Sequence, residues 1–234
     1  MSEQQSQPAM VVMRTIKSFV VRIGRMTASQ QQAYDDNMPR FGLRIEDGPL
    51  NQQQVFGRVA PLVLEIGFGM GQSLIAMANA HPDRDYIGVE VHPPGIGNLL
   101  RGIQDEAVTN LRVYRGDAKD VLAINIGEGQ LSRLQIFFPD PWHKTRHHKR
   151  RLIQPEFIQS ILPKLAIGGV IHLATDWEPY AQQMMEVLSG FPELRNVFGA
   201  GQWAAEHDRP TTKFEKRGQK LGHGVWDLMF EKIA

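Results

Sequence analysis

The sequence predicts an open α/β fold, a seven-stranded and mostly parallel sheet with helices on both faces and an antiparallel last strand. Two observations carry this. From residue 62 onward, seven short apolar runs bounded by Gly, Pro, Asp and Asn read as buried strands: Leu62–Ile66, Tyr86–Val91, Leu111–Tyr114, Leu134–Phe138, Val170–Ala174, Leu194–Phe198 and Val225–Phe230. Segments of helical period lie among the first six, around Ser73–Asn79, Asn98–Val108, Pro155–Leu165 and Pro179–Leu188. Strand–helix alternation of this kind demands crossover connections and therefore parallel pairing. The last run follows a polar, basic, glycine-punctuated stretch, Pro210–Gly224, with no helical period. A strand reached in that way is expected to enter antiparallel.

Ahead of these runs, residues 1–60 read as an N-terminal extension, partly disordered, with little regular structure that can be placed; its first ten residues are polar. Residues 61–234 then form the α/β domain. The 234 residues, 42% hydrophobic and 22% charged, suit one globular domain with a substantial core. There is no cysteine, which excludes disulfides, thiolate metal sites and thiol nucleophiles. No apolar run approaches the length of a membrane span, and the first residues do not resemble a secretory signal, so a cytoplasmic protein without membrane contact is expected.

The net charge of +1 hides an uneven distribution. His143–Arg151 (HKTRHHKRR) holds five Lys/Arg and three His with no acid, which leaves the remainder at −4. One concentrated basic segment on a balanced protein points to a local polyanion site. Its three histidines lie in one basic run with no further ligand evident, so no metal is expected.

The first run ends in Leu64-Glu65-Ile66-Gly67-Phe68-Gly69-Met70-Gly71. Alternating glycines at a strand-to-helix turn allow a tight bend and a close approach to a ligand. The spacing fits neither a phosphate-binding Gly-Lys-Ser/Thr loop nor the dinucleotide fingerprint. Glu65, just before the first glycine, would repel a pyrophosphate but could accept from an ammonium group. Glu90 ends the second run, where an acid can grip a ribose diol. Asp117 follows the third, within reach of an adenine amino group in the same crevice. An acid at a strand end is often only a helix cap; three at successive strand ends beside a glycine turn point to a bound ligand.

The fourth run leads into Phe137-Phe138-Pro139-Asp140-Pro141-Trp142. Two prolines hold Asp140 stiffly at a strand end, where open α/β sheets bind ligands. Trp142 offers a face for a base. The fifth run ends in Thr175-Asp176-Trp177, and Arg209–Gly218 (RPTTKFEKRG) forms a polar loop suited to a substrate lid.

Taken together, LVLEIGFGMGQSL, YIGVEVHPPG, RGDAKDVL, FFPDPWHKTRHHKRRL, HLATDWEPYA and RPTTKFEKRG resemble the bacterial tRNA (guanine-N7-)-methyltransferases of the TrmB type, from about Arg14 to the C-terminus. The glycine loop is common to many methyltransferases; the Phe-Pro-Asp-Pro-Trp-x-Lys and Thr-Lys-Phe-Glu motifs in this order are more specific. The resemblance implies a class I, Rossmann-like S-adenosylmethionine-dependent methyltransferase domain over residues 61–234. It implies that S-adenosylmethionine is held at Glu65, Gly67, Gly69, Gly71, Glu90, Asp117 and Asp140, with Asp140 the active-site residue. Lys144, Asp176, Thr212, Lys213, Phe214 and Glu215 would contact the guanosine at position 46 of the tRNA variable loop. Arg146, His147, His148, Lys149, Arg150 and Arg151 would meet the RNA backbone. Oligomeric state stays open between monomer and homodimer. Competing readings are a methyltransferase for another RNA, a protein or a small molecule, a catalytically inert RNA-binding module, and an NAD-dependent oxidoreductase.

Overall fold

The computed structural model describes residues 24–211, 215 and 224–234. The expected disorder of the first ten residues and the positions Thr212, Lys213 and Phe214 lie outside these.

Among the described residues eight strands form one sheet: β1 (Gly42–Leu43), β2 (Leu62–Ile66), β3 (Asp85–Glu90), β4 (Leu111–Arg115), β5 (Leu131–Phe137), β6 (Leu165–Thr175), β7 (Leu194–Asn196) and β8 (Trp226–Lys232). Their order is β1-β4-β3-β2-β5-β6-β8-β7. All neighbours pair parallel except those of β8, which runs antiparallel to both β6 and β7. The chain steps outward from β2 to β3 and β4, then returns to place β5 on the other side of β2. A reversal of this kind opens a crevice at the strand C-termini, where α/β sheets take their ligands.

All five residues of β2 are buried, because both of its faces are covered. Leu62, Leu64 and Ile66 pack with Val121, Phe157, Ile158, Tyr180 and Met184 of the helices α5 (Ala118–Ile124), α6 (Pro155–Ile161) and α7 (Glu178–Ser189). On the opposite face Val63 packs with residues of α3 (Gln72–Ala80) and α4 (Pro93–Asp105), among them Leu74, Met77, Leu99 and Ile103. Helix α5 is absent from the sequence reading; its seven residues are too few to show a period.

Residues 24–60 carry more regular structure than expected. Helix α1 (Ala28–Phe41) starts at a capping box, in which the Gln30 amide donates to Thr27 Oγ1 at 3.3 Å and the Thr27 amide to Gln30 Oε1 at 2.9 Å. It lies so close to α4 that a Cβ on Gly97 would stand 2.6 Å from the Gln30 carbonyl oxygen. Strand β1 then adds an eighth strand beside β4. After it a 3-10 turn (Ile45–Asp47) is tied down by buried Asn125, whose side chain donates to the carbonyls of Ile45 (3.0 Å) and Gly48 (2.6 Å). Helix α2 (Gln52–Phe56) leads into β2.

The helices α3 and α4 cover only half of their face. Across β5, β6 and β8 the same face carries Arg133, Gln135, Phe137, His172 and Asp227, and Asp208 and Arg209 pair there with Arg133 and Asp227.

Candidate active site

A cavity of about 500 Å³ opens at the C-terminal ends of β2, β3, β4 and β5. Gly67, Gly69, Glu90, Asp117 and Asp140 all line it. Gly67 (φ 74°) and Gly69 (φ 59°) are left-handed, and a Cβ on either would project into open space. Glycine there serves the bend and leaves a bare backbone toward the cavity. The bend is held down from α4: Asn98 Nδ2 donates to the Met70 carbonyl at 2.7 Å, and Gly95 comes so close that a Cβ would meet the Gly69 oxygen at 2.1 Å.

Glu90 is oriented by backbone amides. Its Oε1 accepts from Val91 (2.7 Å) and His92 (3.0 Å), and its Oε2 from Gly69 (3.0 Å). Three of roughly four lone-pair directions are in use, which leaves one on Oε2 for a ligand. Asp117 caps α5, accepting from the Lys119 amide at 3.0 Å, so it is both a cap and a lining residue.

Two expected cofactor residues stand outside the lining. Gly71 (φ 76°) begins α3, and a Cβ would strike Leu99 at 2.4 Å, so its glycine is needed for helix packing. Glu65 is buried behind the loop, where Gln135 Nε2 donates to its Oε2 at 2.6 Å. Its pKa is pushed up to about 7 by burial first and by the Glu90 charge, against the pull of the Gln135 hydrogen bond.

The cavity rim after β5 is strained. Phe138 (φ 53°) and Trp142 (φ 46°) both take the left-handed conformation, which costs non-glycine residues on the order of 1 kcal/mol or more each. Long-range contacts hold the strain. The Phe138 amide donates to the Ala174 carbonyl at 2.8 Å, and the Arg150 guanidinium lies 4.0 Å from the Trp142 ring centre. Asp140, between them, is exposed at the mouth.

The basic run forms a 3-10 helix, Thr145–Arg150, on this rim. Lys144, Arg146 and Lys149 are exposed; His147 and His148 are half-buried. The pKa of His147 is lowered by desolvation and then by the surrounding charges of Arg146, Arg150, Lys144 and Lys149. Arg151 corrects the sequence reading, which set it on the RNA-facing surface. It is buried, donates from Nε to the Pro141 carbonyl (2.8 Å) and from Nη1 to Gln183 Oε1 (2.5 Å), and stacks on Tyr180. Its task is to brace the rim from beneath.

Asp176 sits half-buried at the end of β6, outside the cavity lining. Next to it, exposed Trp177 meets the His143 ring edge-on at 4.3 Å, so the loops after β5 and β6 touch. Glu215 also departs from expectation. Instead of presenting a free carboxylate, it is buried and accepts from Nη1 (2.5 Å) and Nη2 (3.0 Å) of Arg209.

Arg209 belongs to a network for which the sequence reading assigned no role. Its Nε and Nη2 donate to Oδ1 (2.6 Å) and Oδ2 (2.7 Å) of Asp227, which also contacts His172 Nε2 at 2.9 Å. Arg133 donates to both oxygens of Asp208, at 2.8 and 2.7 Å. Burial alone would raise the Asp227 carboxyl; the hydrogen bonds from Arg209 and His172 hold it down at about 2. Burial likewise lowers the pKa of His172, against the pull of Asp227. The available signal was a His and an Asp set within otherwise apolar strands.

Glycine turn, strand-tip acids and sheet order together define a class I methyltransferase fold. A family model described as "Putative methyltransferase" matches residues 59–228. Solved structures share the fold at low identity: the 16S rRNA methyltransferase KamB (TM-score 0.55, 14% identity, 78% of this chain and 92% of that one) and an rRNA methylase from Streptococcus thermophilus (TM-score 0.52, 11%, 90% and 100%). Curated relatives are much nearer. The tRNA (guanine-N(7)-)-methyltransferase of Pseudoalteromonas atlantica is 54% identical over 100% of this chain and 98% of its own. Those of Saccharophagus degradans (56%, over 94% and 96%) and Pseudomonas syringae pv. tomato (57%, over 94% and 91%) bear the same name. The chain belongs to the tRNA (guanine-N(7)-)-methyltransferase family.

Proposed function

We propose that this protein transfers the methyl group of S-adenosylmethionine to N7 of the guanosine at position 46 in the tRNA variable loop. The observation that carries the proposal is a single juxtaposition. A cavity floored by the glycine turn, Glu90 and Asp117 opens directly beside Asp140 and an exposed basic helix.

The residues present fit S-adenosylmethionine. Gly67 and Gly69 leave room at the cavity wall where any side chain would intrude. Glu90 keeps an acceptor direction at a strand tip, where a ribose hydroxyl is held. Asp117 can accept from an adenine amino group. Glu65, behind the loop, is poised near neutrality and would be drawn to its ionised form by an ammonium group placed above it. When bound, the cofactor supplies an electrophilic sulfonium methyl.

Guanine N7 has a lone pair and no proton, so no base is required, and the burden on the protein is positioning. Lys144, Arg146 and Lys149 attract the phosphate backbone and provide affinity without sequence information. Trp177, exposed beside the rim, offers a face to a base that has left its stack. Positive charge develops on the purine as the methyl arrives, and the Asp140 carboxylate at the cavity mouth stabilises it.

The test is to incubate the protein with labelled S-adenosylmethionine and an unmodified tRNA transcript carrying either G or A at position 46. Label confined to the G form, mapped by mass spectrometry to N7 of that base, is the expected result. Label at another nucleotide, or undiminished label on the A form, refutes the site; label only on a protein or small molecule refutes the substrate.

A further inference from the structure

We infer that Gln135 is a positioning residue for cofactor binding: its carboxamide holds the Glu65 carboxylate in place behind the glycine turn without neutralising it. This rests on the S-adenosylmethionine reading given above and goes beyond it by assigning a role to a side chain outside the cavity lining.

Glu65 on β2 and Gln135 on β5 are register partners, so their side chains lie side by side on one face of the sheet. Both are buried, and each is followed by a residue that lines the cavity, Ile66 and Ile136. Gln135 Nε2 donates to Glu65 Oε2 at 2.6 Å, which leaves Oε1 for a second partner. Around this pair, α3 contributes the Met77 sulfur, 3.5 Å from Nε2, and β3 the bare Gly88 opposite Glu65. The charge that acts on Glu65 is that of Glu90 at the β3 tip, which raises its pKa. Beyond Gln135, burial lowers the pKa of its β6 neighbour His172, whose Nε2 is engaged by Asp227. Arg133, two residues back along β5, is matched by Asp208, and Arg209 by Asp227.

A glutamine is a poor choice here for stability alone. Its Oε1 is buried with no hydrogen-bond partner among the described residues, a cost that an apolar side chain would not incur. Its donor suits another task. A lysine or arginine at this position would pair with Glu65 outright and compete with an ammonium group for the carboxylate. An apolar residue would leave the acid unsupported, and burial would keep it protonated. An uncharged donor does neither. It favours the ionised form against the pull of burial, and it leaves the negative charge to be met by the cofactor. Losing one hydrogen bond to a charged acceptor makes its ionisation about tenfold or more less favourable. Without Gln135, a ligand that takes the ionised carboxylate must therefore displace a more tightly held proton.

The experiment is calorimetric titration of S-adenosylmethionine into wild type, Gln135→Met and Gln135→Asn, from about pH 6 to about pH 8 and in buffers of different ionisation enthalpy. Methionine keeps the volume and removes the donor; asparagine stays polar and withdraws it, and carries the test if the methionine variant does not fold. Kd reports the folded fraction alone, since misfolded chains lower only the stoichiometry. With Glu65 titrating at about 7 in wild type, the ratio of variant to wild-type Kd should be roughly 9 at about pH 6 and fall to roughly 2 at about pH 8. Titrations common to both proteins, that of the cofactor amino group included, cancel in this ratio. Wild type should release close to one proton on binding at about pH 6, and the variants should release more than wild type at about pH 7. A ratio near one throughout overturns the proposal, as does a loss of affinity that is the same at every pH, which a merely structural role would give. Wild type that binds cofactor but releases no proton at about pH 6 overturns it without any variant. Wild type that binds no S-adenosylmethionine would instead overturn the cofactor reading, and this role with it.

Discussion

Replacing Lys144, Arg146 and Lys149 together by alanine would remove the outward charge of the basic 3-10 helix while leaving Arg150 on Trp142 and Arg151 beneath Pro141. Each cation that neutralises a phosphate releases counterions, and each contributes about 0.7 to 0.9 to the slope of log affinity against log salt. Three contacts therefore account for a slope of roughly 2.1 to 2.7, which between about 50 and 200 mM salt is a loss of roughly 20- to 40-fold in tRNA affinity. The triple variant should bind tRNA more weakly at low salt and show a slope reduced by that amount. Filter binding or fluorescence anisotropy across a salt series measures it, and calorimetry should find cofactor affinity unchanged. A wild-type slope in the triple variant would refute the reasoning, because the exposed charges would then not be meeting phosphates. An equal loss of cofactor affinity would refute the separation of rim from cavity.

Two further outcomes follow from single side chains. Glu65 has a folded-state pKa above its unfolded value, so the stability it contributes as a neutral acid is present below about pH 4.5 and is lost as pH rises through about 7. Glu65→Gln should therefore gain on wild type by about 3 kcal/mol between about pH 4.5 and pH 8 in cofactor-free urea unfolding; a constant difference across that window contradicts the buried, near-neutral carboxyl. Gly95→Ala places a methyl group against the Gly69 carbonyl, 2.1 Å away, and must push the glycine turn off its seat. Overpacking of this kind should weaken S-adenosylmethionine binding by roughly 5- to 100-fold in calorimetry, and an unchanged Kd would mean that the turn does not hold the cofactor.

The sheet and the strand-tip acids were readable because both are local. A buried parallel strand is a short apolar run whatever lies elsewhere in the chain, and Glu90 and Asp117 announce themselves by following one. Depth was not readable. Period-two alternation gives the face on which Glu65 lies, but not that the glycine turn closes over it. The basic run misled for a related reason. In one dimension Arg151 looks like its neighbours, yet it caps the 3-10 helix at the point where the chain turns inward to Leu152 and Ile153, and its partners Pro141 and Gln183 are set by tertiary structure. The Arg209 network escaped notice because His172 and Asp227 are 55 positions apart and meet only through antiparallel pairing. Helix α1 carried a signal in Thr27 and Gln30, but its Gln-rich sequence lacks an apolar stripe to extend it.

Both margins of the sheet finish in fragments, β1 with two residues and β7 with three. A ladder so brief gives a second chain almost no row of amides and carbonyls to zip onto. The described edges therefore offer a second copy of the chain little backbone on which to extend the sheet.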